Sequence, residues 1–212
     1  MTDAVPLPRS TYRHGDLKRA LLEAGIQLAR AGGPGAVALR EATRRAGVVP
    51  NAAYRHFANR EDLLQAVRAA ALSALAVSME TNLAALSPDQ PPAAYAVASL
   101  RTIGAAYLRF ARSEPGLFRA AFATPMHKED DDAAEQAGNS GLNPFQLLGV
   151  ALDRMVEAGV LPAHRRPGAE YLAWSAVHGL AMLVLDGPLQ SMPPEHIEAL
   201  IPRLLAMVET GL

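Results

Sequence analysis

Hydrogen-bond donors are concentrated in one short stretch of the chain, residues 38–57. They belong to Arg40, Arg44, Arg45, Asn51, Tyr54, Arg55 and His56. Ala53 and Phe57 share the opposite, apolar face of the second half of this stretch. Side chains of these polar types donate to phosphate oxygens and to the base edges of a duplex. The stretch therefore predicts a nucleic-acid-binding surface backed by a small apolar core.

The same stretch predicts two short helices joined by a tight turn. Leu39 and Ala42 recur at helical spacing, and Gly47 supplies a residue that tolerates the left-handed backbone of a sharp helix end. Val48 is apolar inside the turn, so we expect it to pack inward. Pro50 suits the first position of the next helix, where a missing N–H is tolerated. The pattern is that of a helix-turn-helix.

Three consecutive segments carry a family resemblance: Gly-Val, then Tyr-Arg-His-Phe after a short gap, then Asn-Arg-Glu-Asp-Leu-Leu. Together they resemble the signature of TetR-family transcriptional regulators, which bind operator DNA as dimers, and the resemblance covers residues 15–74. It implies phosphate contacts from Arg40, Tyr54, His56 and Arg60, and base contacts from Pro50, Asn51, Ala52 and Arg55. A double-stranded operator is the implied partner.

Two positions depart from the family pattern. The family commonly has Ser or Thr where this chain has Val49 and Ala38, and both residues precede a predicted helix. A hydroxyl there would accept a hydrogen bond from an otherwise unpaired N–H of the first helical turn. Losing such a cap costs about 0.5–2 kcal/mol, so we expect the fold to persist without a side-chain cap on either helix.

Charge is distributed unevenly along the chain. Residues 1–60 carry ten Lys or Arg against four Asp or Glu, a formal charge of +6, and the remaining ten basic and seventeen acidic residues give −7. A basic N-terminal third on an acidic body is the pattern of a protein that binds a polyanion at one end.

Composition limits the other possibilities. A chain of 212 residues that is 50% hydrophobic can bury a substantial core. The absence of cysteine excludes disulfides and thiolate metal sites, which favours a reducing cytoplasm. The polar, proline-containing start predicts no signal peptide, and the apolar run at residues 173–185 is too short to span a membrane.

The whole chain reads as all-α, with about nine helices and no convincing strand pattern. We expect a flexible arm at residues 1–14, in which Arg9 and Arg13 could reach a minor groove, and a three-helix DNA-binding domain at 15–74. A larger ligand-sensing and dimerisation domain follows at 75–212. Asn59 predicts the N-cap of a long fourth helix that links the two domains, with Asp62 as its capping-box partner.

One segment breaks the helical pattern. Residues 123–142 contain a run of acids and then a Gly-rich stretch, which predicts a mobile loop. Contiguous carboxylates can suggest a metal site, but these are not spaced for coordination, and a solvated loop is the preferred interpretation. Asn143 and Pro144 then predict a clean helix start.

The last two helices carry more apolar surface than one small domain covers. Residues 171–185 are hydrophobic nearly all round, and Ile197, Leu200, Leu204 and Val208 continue a stripe at helical spacing. A partner subunit would cover this surface. The expectation is a homodimer formed through these two helices, as the family resemblance also implies.

The larger domain holds most of the aromatic side chains. Residues Trp174, His178 and Gly179, with Glu-Pro-Gly-Leu-Phe-Arg at 114–119, resemble the C-terminal domain of a TetR subgroup named for its Trp, His and Gly residues. Trp174 and His178 lie on one helical face, either as hydrogen-bonded core residues or as ligand contacts. A pocket for a small, largely apolar effector is predicted among Tyr107, Phe110, Phe118, Phe122, Phe145, Met155, Trp174 and His178, with a solid core as the alternative.

An enzyme would need a constellation that the sequence lacks. The six histidines show no metal-ligand spacing, and neither a nucleophile motif nor a Gly-rich phosphate loop occurs. The prediction includes no metal and no cofactor. A TetR-like adaptor without specific DNA binding is the second alternative, and the intact Tyr54, His56 and Arg60 argue against it.

Overall fold

The computed structural model describes residues 14–123 and 134–212. In these ranges the chain forms nine α-helices and no strand, which confirms the all-α prediction. The helices are α1 His14–Gly32, α2 Leu39–Ala46, α3 Pro50–Ala53, α4 Arg60–Ala84, α5 Pro92–Ser113, α6 Pro115–Ala121, α7 Pro144–Glu157, α8 Ala169–Leu185 and α9 Pro194–Gly211. The arm predicted at residues 1–14 lies almost entirely outside the described residues.

Helices α1 to α3 and the start of α4 form the N-terminal unit around a shared apolar core. Leu21, Val37 and Phe57 are buried in it. Gly47 adopts the predicted left-handed conformation, with φ 67° and ψ 31°, and this lets the chain turn sharply between α2 and α3. The N–H of Val48 then donates to Thr43 O, 3.1 Å away, so the turn is fixed to the end of α2.

Helix α3 is shorter than the sequence predicts. The spacing of Ala53 and Phe57 predicts a helix that continues to Phe57, whereas regular helix ends at Ala53 and residues 54–56 form a turn. The carbonyl of Ala53 accepts from the N–H groups of both His56 and Phe57, each at 2.9 Å. A bond to the third residue tightens the last turn, and the buried Phe57 anchors it.

Helix α4 connects the two parts of the molecule. Its N-cap is confirmed, because Asn59 Oδ1 accepts from the N–H of Asp62 at 2.9 Å. The Asp62 carboxylate reaches back to the N–H of Ala58 rather than to that of Asn59. By length and composition α4 could cross a membrane, but half of its most apolar window is buried in the protein, as in a core helix. The predicted domain boundary at residue 74 falls inside this continuous helix.

Helix α5 lies at the centre of the larger helical domain. It packs against α4, α6, α7, α8 and α9, and Ile103, Tyr107, Leu108 and Phe110 are among its buried side chains. Helix α7 begins with a complete capping box, in which Asn143 and Gln146 each accept a backbone N–H from the other. The predicted helix start at Asn143 and Pro144 is therefore confirmed.

The prediction of a mobile loop at residues 123–142 is wrong for its second half. Residues 124–133 lie outside the described structure, but Ala134–Gln136 forms a 3₁₀ turn. The Glu80 carboxylate then accepts from the N–H groups of Asn139 and Ser140, at 2.8 and 2.9 Å, and from the Ser140 hydroxyl. These bonds lower the pKa of Glu80, although burial opposes them. A Gly-rich composition predicted mobility, but the long-range contact with α4 orders the segment.

Candidate DNA-binding surface and ligand cavity

Most of the polar side chains predicted to contact DNA are exposed on α2, α3 and the turn after α3. Asn51, Tyr54 and Arg55 are exposed on α3 and the turn after it, and Arg40 is exposed near the start of α2. Ala52 and His56 are half-buried, and Pro50 is the first residue of α3. These exposed side chains of Arg40, Asn51, Tyr54 and Arg55 are the candidate DNA-binding surface. The described residues contain no group of three or more His, Cys, Asp or Glu side chains that could hold a metal ion.

Two of the arginines on α2 form ion pairs with Glu41 on the same helix. The Glu41 carboxylate accepts from Arg44 Nε and Nη2, at 2.8 and 2.7 Å, and from Arg45 Nε at 3.2 Å. The hydrogen bonds from Arg44 lower the pKa of Glu41 to about 2 despite opposing desolvation, with Arg45 contributing further. The Glu41 carboxylate therefore offsets part of the positive charge that Arg44 and Arg45 would present to a phosphate.

Arg60 ties α4 to the loop between α1 and α2. Its Nε donates to Val37 O and its Nη2 to Pro34 O, each at 2.8 Å, and Nη1 contacts Glu61 at 2.8 Å. These bonds give Arg60 a positioning function at the base of the N-terminal unit. Its predicted phosphate contact stays a prediction.

Neither α2 nor α3 has a side-chain N-cap, as the sequence predicts. Ala38 and Val49 occupy the two capping positions in extended conformations without a side-chain hydrogen bond. The Val49 side chain is 68% exposed, so it does not compensate by packing in the core.

The larger domain contains a narrow cavity between α4, α5, α7, α8 and α9. Its empty space amounts to about 840 Å³, including the part that is open to solvent. The volume that the centre of a water molecule can occupy is only about 70 Å³. Its apolar lining comes from Leu72, Met79, Leu100, Ile103, Tyr107, Phe122, Phe145, Leu148, Trp174, Val177, Leu205 and Val208. Ligand sites in helical bundles are lined in this way, with few polar groups.

Four of the eight predicted pocket residues line this cavity: Tyr107, Phe122, Phe145 and Trp174. Phe118 and His178 pack behind them, with ring centroids 5.4 and 6.3 Å from that of Tyr107. The structure does not place Phe110 and Met155 on the cavity, and both are buried in the core. Aromatic and apolar content therefore indicated the region of the cavity. It did not distinguish the residues that line the cavity from those that pack in the core.

A hydrogen-bonded chain of three side chains closes one wall of the cavity. Trp174 Nε1 donates to the Tyr107 hydroxyl at 3.1 Å, and that hydroxyl lies 2.7 Å from His178 Nδ1. Because an indole N–H is only a donor, the Tyr107 oxygen accepts from Trp174, and the direction of its bond to His178 is set by which ring nitrogen of the histidine carries the proton. Burial raises the pKa of Tyr107 and lowers that of His178, so both groups are neutral at neutral pH.

These three hydrogen-bonded side chains bear on both interpretations of Trp174 and His178, as core residues or as ligand contacts. Each has a polar partner, as core residues would, but that partner is the Tyr107 side chain and not the backbone. Trp174 also borders the cavity, whereas His178 lies behind Tyr107. Tyr107 is 67 residues away from Trp174 in sequence, so helical spacing on one element gave no sign of the contact.

Three buried polar residues on the cavity wall were missed from the sequence, and Arg101 also lines the cavity. Arg68, Gln136 and Asn143 are buried and line the cavity. The only available signal was for Arg68, which interrupts an apolar stripe four residues after Leu64 and four before Leu72. Gln136 lies in a segment whose composition predicts a loop, so no pattern marked it.

Helix α6 joins the cavity to the N-terminal unit. A Cβ on Gly116 would collide with the carbonyl oxygens of Ala29 and Arg30, so α6 sits directly on the end of α1. Arg119, on the same short helix, forms a bidentate pair with Asp186 just after α8, with N–O distances from 2.6 to 3.0 Å. Phe118 lies on α6 and Phe122 directly after it, so this one segment contacts α1, the end of α8 and the cavity aromatics.

Comparison with known families identifies both parts of the chain. Residues 21–67 match the family described as bacterial regulatory proteins, tetR family. Residues 100–208 match the tetracyclin repressor-like C-terminal domain. No curated protein matches the chain significantly.

Solved structures share the fold over nearly the whole length. A protein of unknown function from Rhodococcus sp. RHA1 has a TM-score of 0.74 at 22% identity, covering 96% of this chain and 99% of its own. A TetR family transcription regulator from Marinobacter aquaeolei VT8 has a TM-score of 0.62 at 22% identity, covering 91% and 95%. The regulator FadR from Bacillus subtilis, in complex with stearoyl-CoA, has a TM-score of 0.66 at 13% identity, covering 92% and 98%. At these identities the likeness concerns the fold alone.

The uncapped start of α3 generates a prediction. Val49→Ser should raise the free energy of unfolding by about 0.5–1 kcal/mol, because a hydroxyl would accept an unpaired N–H and the exposed valine has little packing to lose. Asn59→Ala is the matched control: it removes a cap that is present, and should lower stability by about 1 kcal/mol. Urea unfolding of the three proteins measures both changes, and a loss of stability in Val49→Ser would contradict the capping argument.

Proposed function

The chain belongs to the tetR family of bacterial regulatory proteins, and from this premise we propose that it is a homodimeric repressor that binds a palindromic operator. A small, largely apolar effector releases the operator by entering the larger domain. The family membership makes the chain a transcription regulator rather than an enzyme. The observation that carries the proposal is the candidate DNA-binding surface on a short, sharply turned helix pair.

Operator binding is supported by the position of this surface. The N-terminal residues of a recognition helix approach base edges in the major groove, and Asn51 and Arg55 are exposed on α3 and the turn after it. Tyr54 and Arg40 are placed to hold phosphates beside the groove. The formal charge of +6 on residues 1–60 favours association with DNA at this end.

Dimerisation is supported by the exposed apolar side chains. The described residues expose seven large apolar side chains, and five of them lie on α8 and α9. They are Tyr171, Leu172, Met182, Leu183 and Met207. The other two, Val49 and Tyr54, lie in the N-terminal unit. Exposed apolar side chains concentrated on two helices are typical of a surface covered by a second copy of the chain.

Effector binding is supported by the cavity. Its largely apolar lining suits an apolar molecule better than a polar one. The Bacillus subtilis structure, which shares the fold, is a complex with stearoyl-CoA, a ligand with a long apolar chain. By analogy, we infer that this fold can accommodate a ligand with such a chain.

Two helices connect the cavity to the N-terminal unit. Helix α4 contributes Leu72 and Met79 to the cavity wall and begins at Arg60, which is bonded to the loop before α2. Helix α6 rests on α1 through Gly116. A ligand that moves either helix changes the separation of the two recognition helices, which must match one DNA turn of about 34–36 Å.

The separate roles proposed for Asn51 at a base and for Arg40 at a phosphate are testable. Asn51→Ala should relax specificity at one base position, at a cost of about 1–3 kcal/mol on the preferred base, because it removes a base-edge contact. Arg40→Ala should weaken all sequences alike and make the slope of log affinity against log salt shallower by about 1 for each lost phosphate contact. Selection of bound duplexes followed by salt titrations measures both effects.

Arg165→Ala is the control, because it removes one positive charge from the larger domain, far along the chain from this surface. It should change neither specificity nor the salt slope. Identical behaviour of Asn51→Ala and Arg40→Ala would contradict the assigned roles. A selection that enriches no sequence would favour an adaptor without specific DNA binding.

The dimer face makes a separate prediction. Leu172→Glu and Met207→Glu each place a charge where 64% and 59% of the side chain is exposed in the single chain, so the fold should tolerate them. Burying that charge against a second copy is costly, so sedimentation should show monomers and operator affinity should fall. Ala93→Glu, also at an exposed position, is the control and should remain dimeric. Dimers that persist in both variants would refute this interface.

The effector mechanism predicts negative coupling. A compound that binds in the cavity and the operator must weaken each other by the same factor, because coupling free energies are reciprocal. Thermal-shift titrations of apolar compounds, with and without saturating operator, measure this factor. A stabilising compound whose affinity is unchanged by saturating operator would refute the mechanism even if it occupies the cavity.

A further inference from the structure

Arg101 lies at the border between the cavity and a second space, which we call the outer groove. The outer groove runs along the surface beside the start of α5, and its apolar lining comes from Leu86, Ala93, Ala94, Val97, Ala98 and Val160. Among the described residues, Arg101 is the one that lines both the cavity and the outer groove. This side chain therefore marks the place where a molecule could pass from one space to the other.

The helical register of α5 explains this position. Leu100 and Gly104 line the cavity, whereas Val97 lines the outer groove. Residues three and four apart are neighbours on a helix surface. Arg101 follows Val97 by four residues and precedes Gly104 by three, so it is a neighbour of both sets. The wall is thus mainly apolar on both sides of this exposed arginine.

A bidentate ion pair holds Arg101 across this border. Its Nε and Nη2 donate to the two carboxylate oxygens of Glu209 on α9, each at 2.6 Å. The Arg101 side chain is 53% exposed and that of Glu209 only 11%, so the guanidinium covers the carboxylate on its solvent side. Glu209 directly follows Val208, which lines the cavity. The pair therefore joins α5 to α9 at the edge of the cavity.

The two helices are packed too closely at this point to separate easily. One turn along α5 from Arg101, a Cβ on Gly104 would lie 2.5 Å from Leu205 Cδ2 on α9, so the buried Leu205 rests on the α5 backbone. Exposed side chains change rotamer within nanoseconds, whereas collective helix movements take microseconds or longer. An opening at this border therefore requires only that the arginine releases the carboxylate and rotates.

The same two helices are joined by a second ion pair. Arg112, about three turns farther along α5, donates to Glu198 near the start of α9. In the described structure neither of these residues lines the cavity or the outer groove. Breaking the pair of Arg101 would leave α5 and α9 joined, and the pair of Arg112 provides a matched control.

We propose that the ion pair between Arg101 and Glu209 is a gate through which the effector passes from the outer groove into the cavity. This inference rests on the effector cavity of the proposed function and specifies how a ligand reaches it. Apolar side chains line most of both spaces, and transient release of the carboxylate lets an apolar molecule move from one to the other. The gate closes again over the bound ligand, so it controls the rates of entry and release more than the affinity.

The rates of ligand binding test the gate. The probe is N-phenyl-1-naphthylamine, an uncharged apolar dye, and stopped-flow quenching of Trp174, the single tryptophan of the chain, follows its arrival in the cavity. Glu209→Gln keeps the size of the side chain but removes its charge. It should raise the association and dissociation rate constants together, each by about fivefold, and change Kd by less than about twofold, because a partly exposed ion pair favours the closed gate by about the first of these factors.

Glu198→Gln is the matched control, because it removes the charge of the corresponding pair between the same helices. It should leave both rate constants unchanged. Unchanged rates in Glu209→Gln would overturn the proposal and indicate another entrance. Equal acceleration in both variants would overturn it in favour of a general loosening of α5 and α9. A changed Kd with an unchanged association rate constant would do the same in favour of direct contact between Glu209 and the dye.

The unsubstituted chain provides a second measurement, which does not depend on the folding of a variant. Salt screens a half-exposed ion pair but does not steer an uncharged dye. Raising potassium chloride from about 50 mM to about 500 mM should therefore accelerate both entry and release in the original chain, with no such effect in Glu209→Gln. Rates in the original chain that do not depend on salt would overturn the gate.

The same measurements separate the gate from the function on which it rests. A dye that does not quench Trp174 would refute the effector cavity, and the gate with it. A dye that enters at rates set by Glu209 but leaves the affinity for the selected operator unchanged would refute the release mechanism and leave the gate intact.

Discussion

The packing of α6 on the end of α1 couples the N-terminal unit to the larger domain. The first turn of α6 lies against the carbonyl groups of Ala29 and Arg30, and only glycine at position 116 permits this approach. The ion pair between Arg30 and Glu114, at 3.1 Å, closes the same joint. Because the rings of Phe118 and Phe122 follow within two turns, the N-terminal unit and the cavity cannot rearrange independently at this point.

Most of the helical architecture could be predicted from the sequence, because it depends on local signals. The caps at Asn59 and Asn143 and the left-handed Gly47 each act within one helical turn, and all three are confirmed. Apolar spacing likewise located α8 and α9 and identified their surplus of apolar surface. The exposed face carrying Leu172 and Met207 shows this surplus directly.

The remaining features depend on contacts between distant residues. The order of residues 134–142 comes from Glu80, and the polar chain on the cavity wall pairs Tyr107 with Trp174. No periodicity within one helix specifies such pairs. The short α3 has a related cause, since the shared bonds at Ala53 O and the burial of Phe57 depend on packing against other helices. Sequence therefore indicated where a pocket would form but not which polar groups would face it.

Three features that weaken this fold lie where the proposed function needs them. The uncapped α3 belongs to the surface that would meet DNA, and the exposed apolar face would be covered by a second copy. The buried polar side chains of Arg68, Gln136 and Asn143 and the incompletely filled core lie together at the cavity. A random scatter of such defects would indicate only an imperfect core, but natural proteins tend to break local rules at functional sites. Their separation into three regions, linked by α4 and α6, supports three binding events on one chain, and each partner would remove the defect at its own site.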